Sequence, residues 1–96
     1  DELARVHPSP VVELNRAVAV AEDEGPGAGL ALLEDPAVAA ELATNHLFHA
    51  ARGELLARLG DTTEAAAAFR RAAELAGTTT ERRFLQQRVH AVTSES

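Results

Sequence analysis

The sequence predicts an all-α fold in which antiparallel helical hairpins stack on one another. Three observations predict it. No segment alternates apolar and polar residues with period two, so no sheet is expected. Apolar residues instead recur at three- and four-residue spacing through most of the chain. Start and stop residues punctuate these segments: Ser-Pro, Asp-Pro, Asn and Asp-Thr-Thr-Glu open them, and glycine closes them.

Residues 1–8 read as the end of an incoming helix, "DELARV", broken at Pro8. Ser9 followed by Pro10 is a cap and first-position pair, and the next helix runs over 10–23 with Val11, Leu14, Val18 and Ala21 as its buried stripe. "EGPG" at 24–27 reads as a tight turn, and a short helix over 28–34 carries Leu30 and Leu33. Asp35-Pro36 opens another short helix over 36–43. Thr44-Asn45 opens a longer one ending at Leu59, with Phe48, Ala51, Leu55 and Leu59 on one face and Glu54–Arg58 as an exposed pair four apart. Gly60 stops it. Asp61 and Glu64 resemble a capping box for an alanine-rich helix over 63–76, which ends at Gly77. Thr78 and Glu81 cap a last helix over 79–92 whose Leu85, Val89 and Val92 face inward, and "TSES" is a polar tail.

Bulk composition bounds the function. The chain's 96 residues fit a single domain, and Leu, Val and Phe make up only 23 of them, so the core must rely on alanine and closely spaced helices. Net charge is −6, divided as −7 over residues 1–50 and +1 over 51–96. Such a chain lacks the basic face of a nucleic-acid binder, and direct DNA binding is not expected. There is no cysteine, which excludes disulfides and thiolate metal sites. No apolar run reaches membrane-spanning length and no signal peptide opens the chain, so a cytoplasmic location is expected. The chain opens at Asp1, which reads as a piece of a longer protein.

Aligning the glycine-containing turns places Ala17 on Gly53, Val20 on Leu56, Gly29-Leu30 on Ala65-Ala66, and Leu33 on Phe69, an offset of 36 residues. A repeat near 34 residues with small side chains at fixed points is the signature of tetratricopeptide helical hairpins. The second hairpin, 44–77, fits it through Gly53, the "LGD" turn at 59–61, Ala65, Phe69 and Ala72. Two helices approach closely only where side chains are small, so Gly53 is expected against Ala65, with the Phe69 ring filling the wedge toward the next helix. The first hairpin, 9–43, is degenerate, because its loop is longer and Pro36 stands where alanine belongs. Residues 78–92 form a capping helix.

Three stretches carry a closer resemblance: "SPVVELNRAVAVAEDEGPGAGLALLED" (9–35), "HLFHAARGELLARLGDTTEAAAAFRRAAELAG" (46–77) and "TERRFLQQRV" (80–89). Together they resemble the C-terminal tetratricopeptide-like extension of bacterial extracytoplasmic-function (ECF) RNA polymerase sigma factors. The resemblance implies that the parent is a transcription initiation factor. It also implies that this piece is a protein-interaction or regulatory domain that adjusts the factor's activity. Its partners would be the promoter-reading domains of the parent, or core RNA polymerase. The promoter-reading segments themselves are absent, so none of their residues carries over. The alternative is a generic tetratricopeptide adaptor serving an unrelated partner.

Candidate site residues follow from both readings. Asn15 and Arg16 sit on the first helix of a hairpin, the type that lines the concave face of such arrays; Asn15 at the core's edge would serve either an inter-helix hydrogen bond or a ligand. Glu22, Asp23 and Glu24 form an acidic cluster by the hairpin turn, suited to a basic partner. Arg82 and Arg83, with Arg70, Arg71 and Arg88, make the C-terminal third basic, for a partner, for solvent or for internal pairing. Ala17, Leu33, Gly53, Leu56, Ala65, Phe69 and Ala72 are the expected packing positions. His46 and His49 have a spacing that could offer two metal ligands, but His7 and His90 lie in other elements and a structural role is expected. "GPGAG" at 25–29 lacks the strand and the Lys-Ser/Thr of a phosphate loop, so no cofactor, metal or catalysis is expected.

Overall fold

The structure, a computed structural model, describes residues 10–94. Among them six helices follow one another: α1 (Pro10–Glu24), α2 (Pro26–Leu33), α3 (Pro36–Leu42), α4 (His46–Arg58), α5 (Thr62–Leu75) and α6 (Thr79–Ser94). No described residue lies in a strand, and the fold is all-α. The incoming helix read over 1–8 and the side chain of Val11 lie outside what is described.

Local chemistry sets the helix ends. Asp35 Oδ1 accepts the Ala37 N–H at 2.9 Å, and Asn45 Oδ1 accepts the Leu47 N–H at 2.8 Å. Asp61 Oδ1 accepts the Glu64 N–H at 3.2 Å, and Thr78 Oγ1 accepts the Glu81 N–H at 3.1 Å. Each satisfies a first-turn donor that the helix cannot. At the end of α4, Gly60 adopts φ 85°, its N–H reaches Ala57 O at 3.0 Å and the Asp61 N–H reaches Leu56 O at 3.0 Å. That pair of bonds is a Schellman motif, which needs the left-handed backbone glycine tolerates.

The expected turn at 24–27 is tighter than four residues. Gly25 alone joins α1 to α2, at φ 104°, with Pro26 in the first turn of α2. Proline's missing N–H would be unpaired there in any case, so it starts the helix instead of interrupting it. The tail is shorter than expected too: Thr93 and Ser94 continue α6, and the Thr93 hydroxyl donates to Val89 O at 2.8 Å.

The helices stack as hairpins. α1 packs on α2 and α4 on α5; α4 also meets both helices of the first pair, and α6 lies against α5. α3 is a short link that sends only Leu42 into the core. The stack measures 50 × 31 × 19 Å, so its thinnest dimension is about two helix diameters.

Eight of the eighteen buried apolar residues described are alanine, which is how so few large side chains close a core. On α1 the buried stripe is Leu14, Ala17 and Ala21, and Val18, expected inside, is exposed. On α4 Phe48 and Leu55 are buried as expected, joined by Leu56 and Gly53, but Leu59 is exposed. Leu59 is the C-cap residue of α4, where the regular helical spacing has ended. The inward position is taken by Ala17, where α2 comes close: a methyl group on Gly29 would lie 2.6 Å from Ala17 O and 2.7 Å from Ala21 Cβ.

In the second hairpin the atoms nearest Gly53 belong to the Phe69 ring: a methyl group on Gly53 would come within 2.9 Å of it. Phe69 is fully buried, and besides meeting Gly53 it meets the next helix, where the Arg88 guanidinium of α6 stands 5.2 Å from the ring centroid. The expected Glu54–Arg58 pair is not made. Glu54 receives both arms of Arg88 at 2.8 Å, and Arg58 reaches back to Glu22 at 3.3 Å. Both arginines choose the neighbouring hairpin over their own helix.

Candidate partner-binding surface

The packing positions read from the sequence, Ala17, Leu33, Gly53, Leu56, Ala65, Phe69 and Ala72, are all buried. They build the scaffold, and the surface is made of other side chains. Asn15 and Arg16 are both exposed on α1, Asn15 outside the core's edge and without an inter-helix hydrogen bond to a described residue.

Glu22, Asp23 and Glu24 are exposed on the last turn of α1. Carboxylates at a helix C-terminus oppose the macrodipole, so nothing local favours them there. Glu22 is steadied by Arg58; Asp23 and Glu24 stand free of ion pairs among the described residues. The result is a small, outward acidic face at the one-residue corner between α1 and α2.

Arg82 and Arg83 are exposed on α6. α6 packs on α5, whereas α1 packs on α2 and α4, so the arginines and the acidic triplet belong to different parts of the stack. Of the other arginines, Arg71 is held by Glu74 at 3.0 Å and Arg88 by Glu54. Arg52, which sequence reading did not single out, pairs with Glu34 at 2.9 Å and ties α4 to the end of α2.

An apolar groove of about 420 Å³ opens between the N-terminal turns of α4 and α6, with Leu47, Ala50, Phe84 and Leu85 along it. Leu47 and Phe84 are 47% and 57% exposed. His46 forms part of the wall. Its Nε2 is buried and lies 3.3 Å from Glu81 Oε2, near enough for attraction but off hydrogen-bond alignment. Neither Leu47 nor Phe84 was a sequence candidate; Phe84 stands beside Leu85 off the inward stripe, which was the available signal.

The two histidines do not converge. His49 donates from Nε2 to Ala43 O at 2.7 Å and packs edge-on against Phe48 at 5.0 Å, so its ring is committed to the α3–α4 junction. No group of three His, Cys, Asp or Glu side chains among the described residues is placed to hold a metal ion. No described helix is long and apolar enough to cross a membrane. The described surface presents an acidic corner, an apolar groove and a run of arginine.

No family model matches the chain, and no solved structure matches it. It is 42% identical over 93 residues to an uncharacterized protein of Rhizobium meliloti (strain 1021). That match covers 97% of this chain and 22% of the relative, so the chain spans about a fifth of the length of the curated relative it matches.

Proposed function

We propose that this chain is the C-terminal protein-interaction and regulatory domain of an ECF-type RNA polymerase sigma factor, acting in the cytoplasm without chemistry of its own. It docks onto the promoter-reading domains of its parent, or onto core polymerase. The observation that carries the reading is the exposed acidic corner Glu22–Asp23–Glu24 on a rigid hairpin stack whose first half has a charge of −7. Domains that grip DNA must present basic surface, and an acidic face competes for that surface with specificity and speed set by charge. The relative's much greater length is in keeping with such a helical unit being one part of a larger protein.

The test is binding of the separated domain to the promoter-reading part of the parent at two salt concentrations, beside transcription from a cognate promoter. Binding is expected at low salt, weakening as salt rises. Asp23→Arg with Glu24→Arg should weaken it by about tenfold or more, because each exposed charge turned from attraction to repulsion acts on association. Duplex DNA should not bind the domain at physiological salt. If deleting the domain leaves transcription unchanged and no binding is seen at low salt, the regulatory reading fails. The groove containing Leu47 and Phe84 favours a second reading, an adaptor that holds a helix of an external protein.

A further inference from the structure

We propose that the groove between α5 and α6 is a docking site for an acidic peptide segment of a partner protein. This groove, of about 600 Å³, is open to solvent along one side and is distinct from the acidic corner, so the proposal goes beyond the reading above and does not rest on it.

Its chemistry is directional. On α6 Arg82, Gln86 and His90 line it at four-residue spacing, and Arg70 lines it from α5. The α6 residues thus form one stripe about 12 Å long, at 1.5 Å of rise per residue. Neither Arg70 nor Arg82 is ion-paired with a described residue, in contrast to Arg52, Arg58, Arg71 and Arg88, each of which has a carboxylate partner. The one acid in the groove, Glu74, pairs with Arg71 at 3.0 Å. The floor is apolar, Ala73 and Val89.

Donors spread along 12 Å over an apolar floor do not focus on a point, as a phosphate or other small anion would require. They match an extended chain, of which about four residues cover that length. Every second side chain of an extended chain faces the groove, and these can set carboxylates against Arg70 and Arg82 with the carboxylates' methylene stems over Ala73 and Val89. Nucleic acid fits less well: two arginines neutralise few phosphates, and the chain as a whole carries −6.

The test uses the full chain and a fluorescein-labelled peptide of about eight residues that alternates glutamate with leucine, a length set by the extended-chain estimate. Fluorescence anisotropy should show saturable binding that weakens with salt. Arg70→Glu combined with Arg82→Glu should weaken it by about tenfold or more, as reversal of paired charges does at an interface. Arg82→Gln should give a smaller loss in the same direction, and both variants should keep the native helical circular dichroism because the replaced side chains are exposed. Asp23→Arg with Glu24→Arg should leave peptide binding in place, which separates failure here from failure of the acidic-corner reading. Absence of binding, or binding unchanged in the double reversal, overturns the proposal. So does tighter binding of single-stranded RNA lost in the same variants, which would assign the groove to nucleic acid. Self-association of the peptide-free chain abolished by Arg82→Glu would assign it to a second copy and overturn it equally.

Discussion

Each hairpin packs a glycine of one helix against the other helix, with the small residues exchanged. In the first, the glycine is Gly29 on α2, pressed on Ala17 and Ala21 of α1; in the second it is Gly53 on α4, pressed on Phe69 of α5. At the repeat offset, Gly29 corresponds to Ala65 and Ala17 to Gly53, so glycine and alanine stand at exchanged positions in the two hairpins. Where the glycine lies on the second helix, the facing surface is backbone and methyl. Where it lies on the first, the vacated space is taken by a ring, at the position held by Leu33 in the first hairpin. A close approach requires one partner without a side chain, but what stands opposite decides how much the contact stabilises and how far it can yield.

The sharpest way to break this comparison is to empty the second hairpin. Phe69→Ala removes a fully buried ring flanked by Gly53 and Arg88, and should cost about 3–5 kcal/mol, read as a fall in the urea midpoint. A loss below about 1 kcal/mol would mean the ring is not what fills the gap over Gly53.

Next in size is the pair Gly29→Ala and Gly53→Ala. Both gain helix propensity worth up to about 1 kcal/mol. For Gly29 the new methyl meets the carbonyl oxygen of Ala17, which moves only with its helix, so a net loss of about 1–3 kcal/mol is expected in thermal melts. At Gly53 it meets the outer edge of a ring that can shift by a few tenths of an ångström, so its loss should be the smaller. Equal losses would remove the distinction drawn between the hairpins.

The smallest effects concern the ties between hairpins. Arg88→Met breaks a two-armed, partly buried bond to Glu54 over the Phe69 ring and should cost about 1 kcal/mol. Arg58→Met breaks a single exposed contact to Glu22 and should stay within about 0.5 kcal/mol of the parent. Reversal of that order would place the stronger junction on the first hairpin.

Helix existence and caps were legible because they depend on neighbours in sequence: Asp35, Asn45, Asp61 and Thr78 each act within three residues. Burial was less legible where helices come very close. A stripe read by size selects Val18, while a tight interface selects Ala17, and only the repeat alignment singled out Ala17. Glu54 was assigned to Arg58, its neighbour on the helix, although the repeat held a better guide. Glu54 pairs with Arg88, 34 positions on, and Glu22 with Arg58, 36 positions on, both near the repeat length. The acidic corner was visible as a run of like charge. The α5–α6 groove was only half visible, since Arg82 drew attention for local charge but nothing in sequence aligns it with Arg70 across a turn.

The position of α5 carries a consequence for the order in which the chain comes apart. It buries six of its residues and is flanked by α4 and α6, whereas α3 buries only Leu42. In a linear stack each unit is held only by its neighbours, so opening starts where neighbours are few and reaches a doubly flanked helix last. A partner seated on the α1 corner grips a helix held through Leu14, Ala17 and Ala21, and its binding energy adds stability there. One seated between α5 and α6 instead ties α6, which buries only Leu85 and Val92 and packs chiefly on α5, to the helix that opens last.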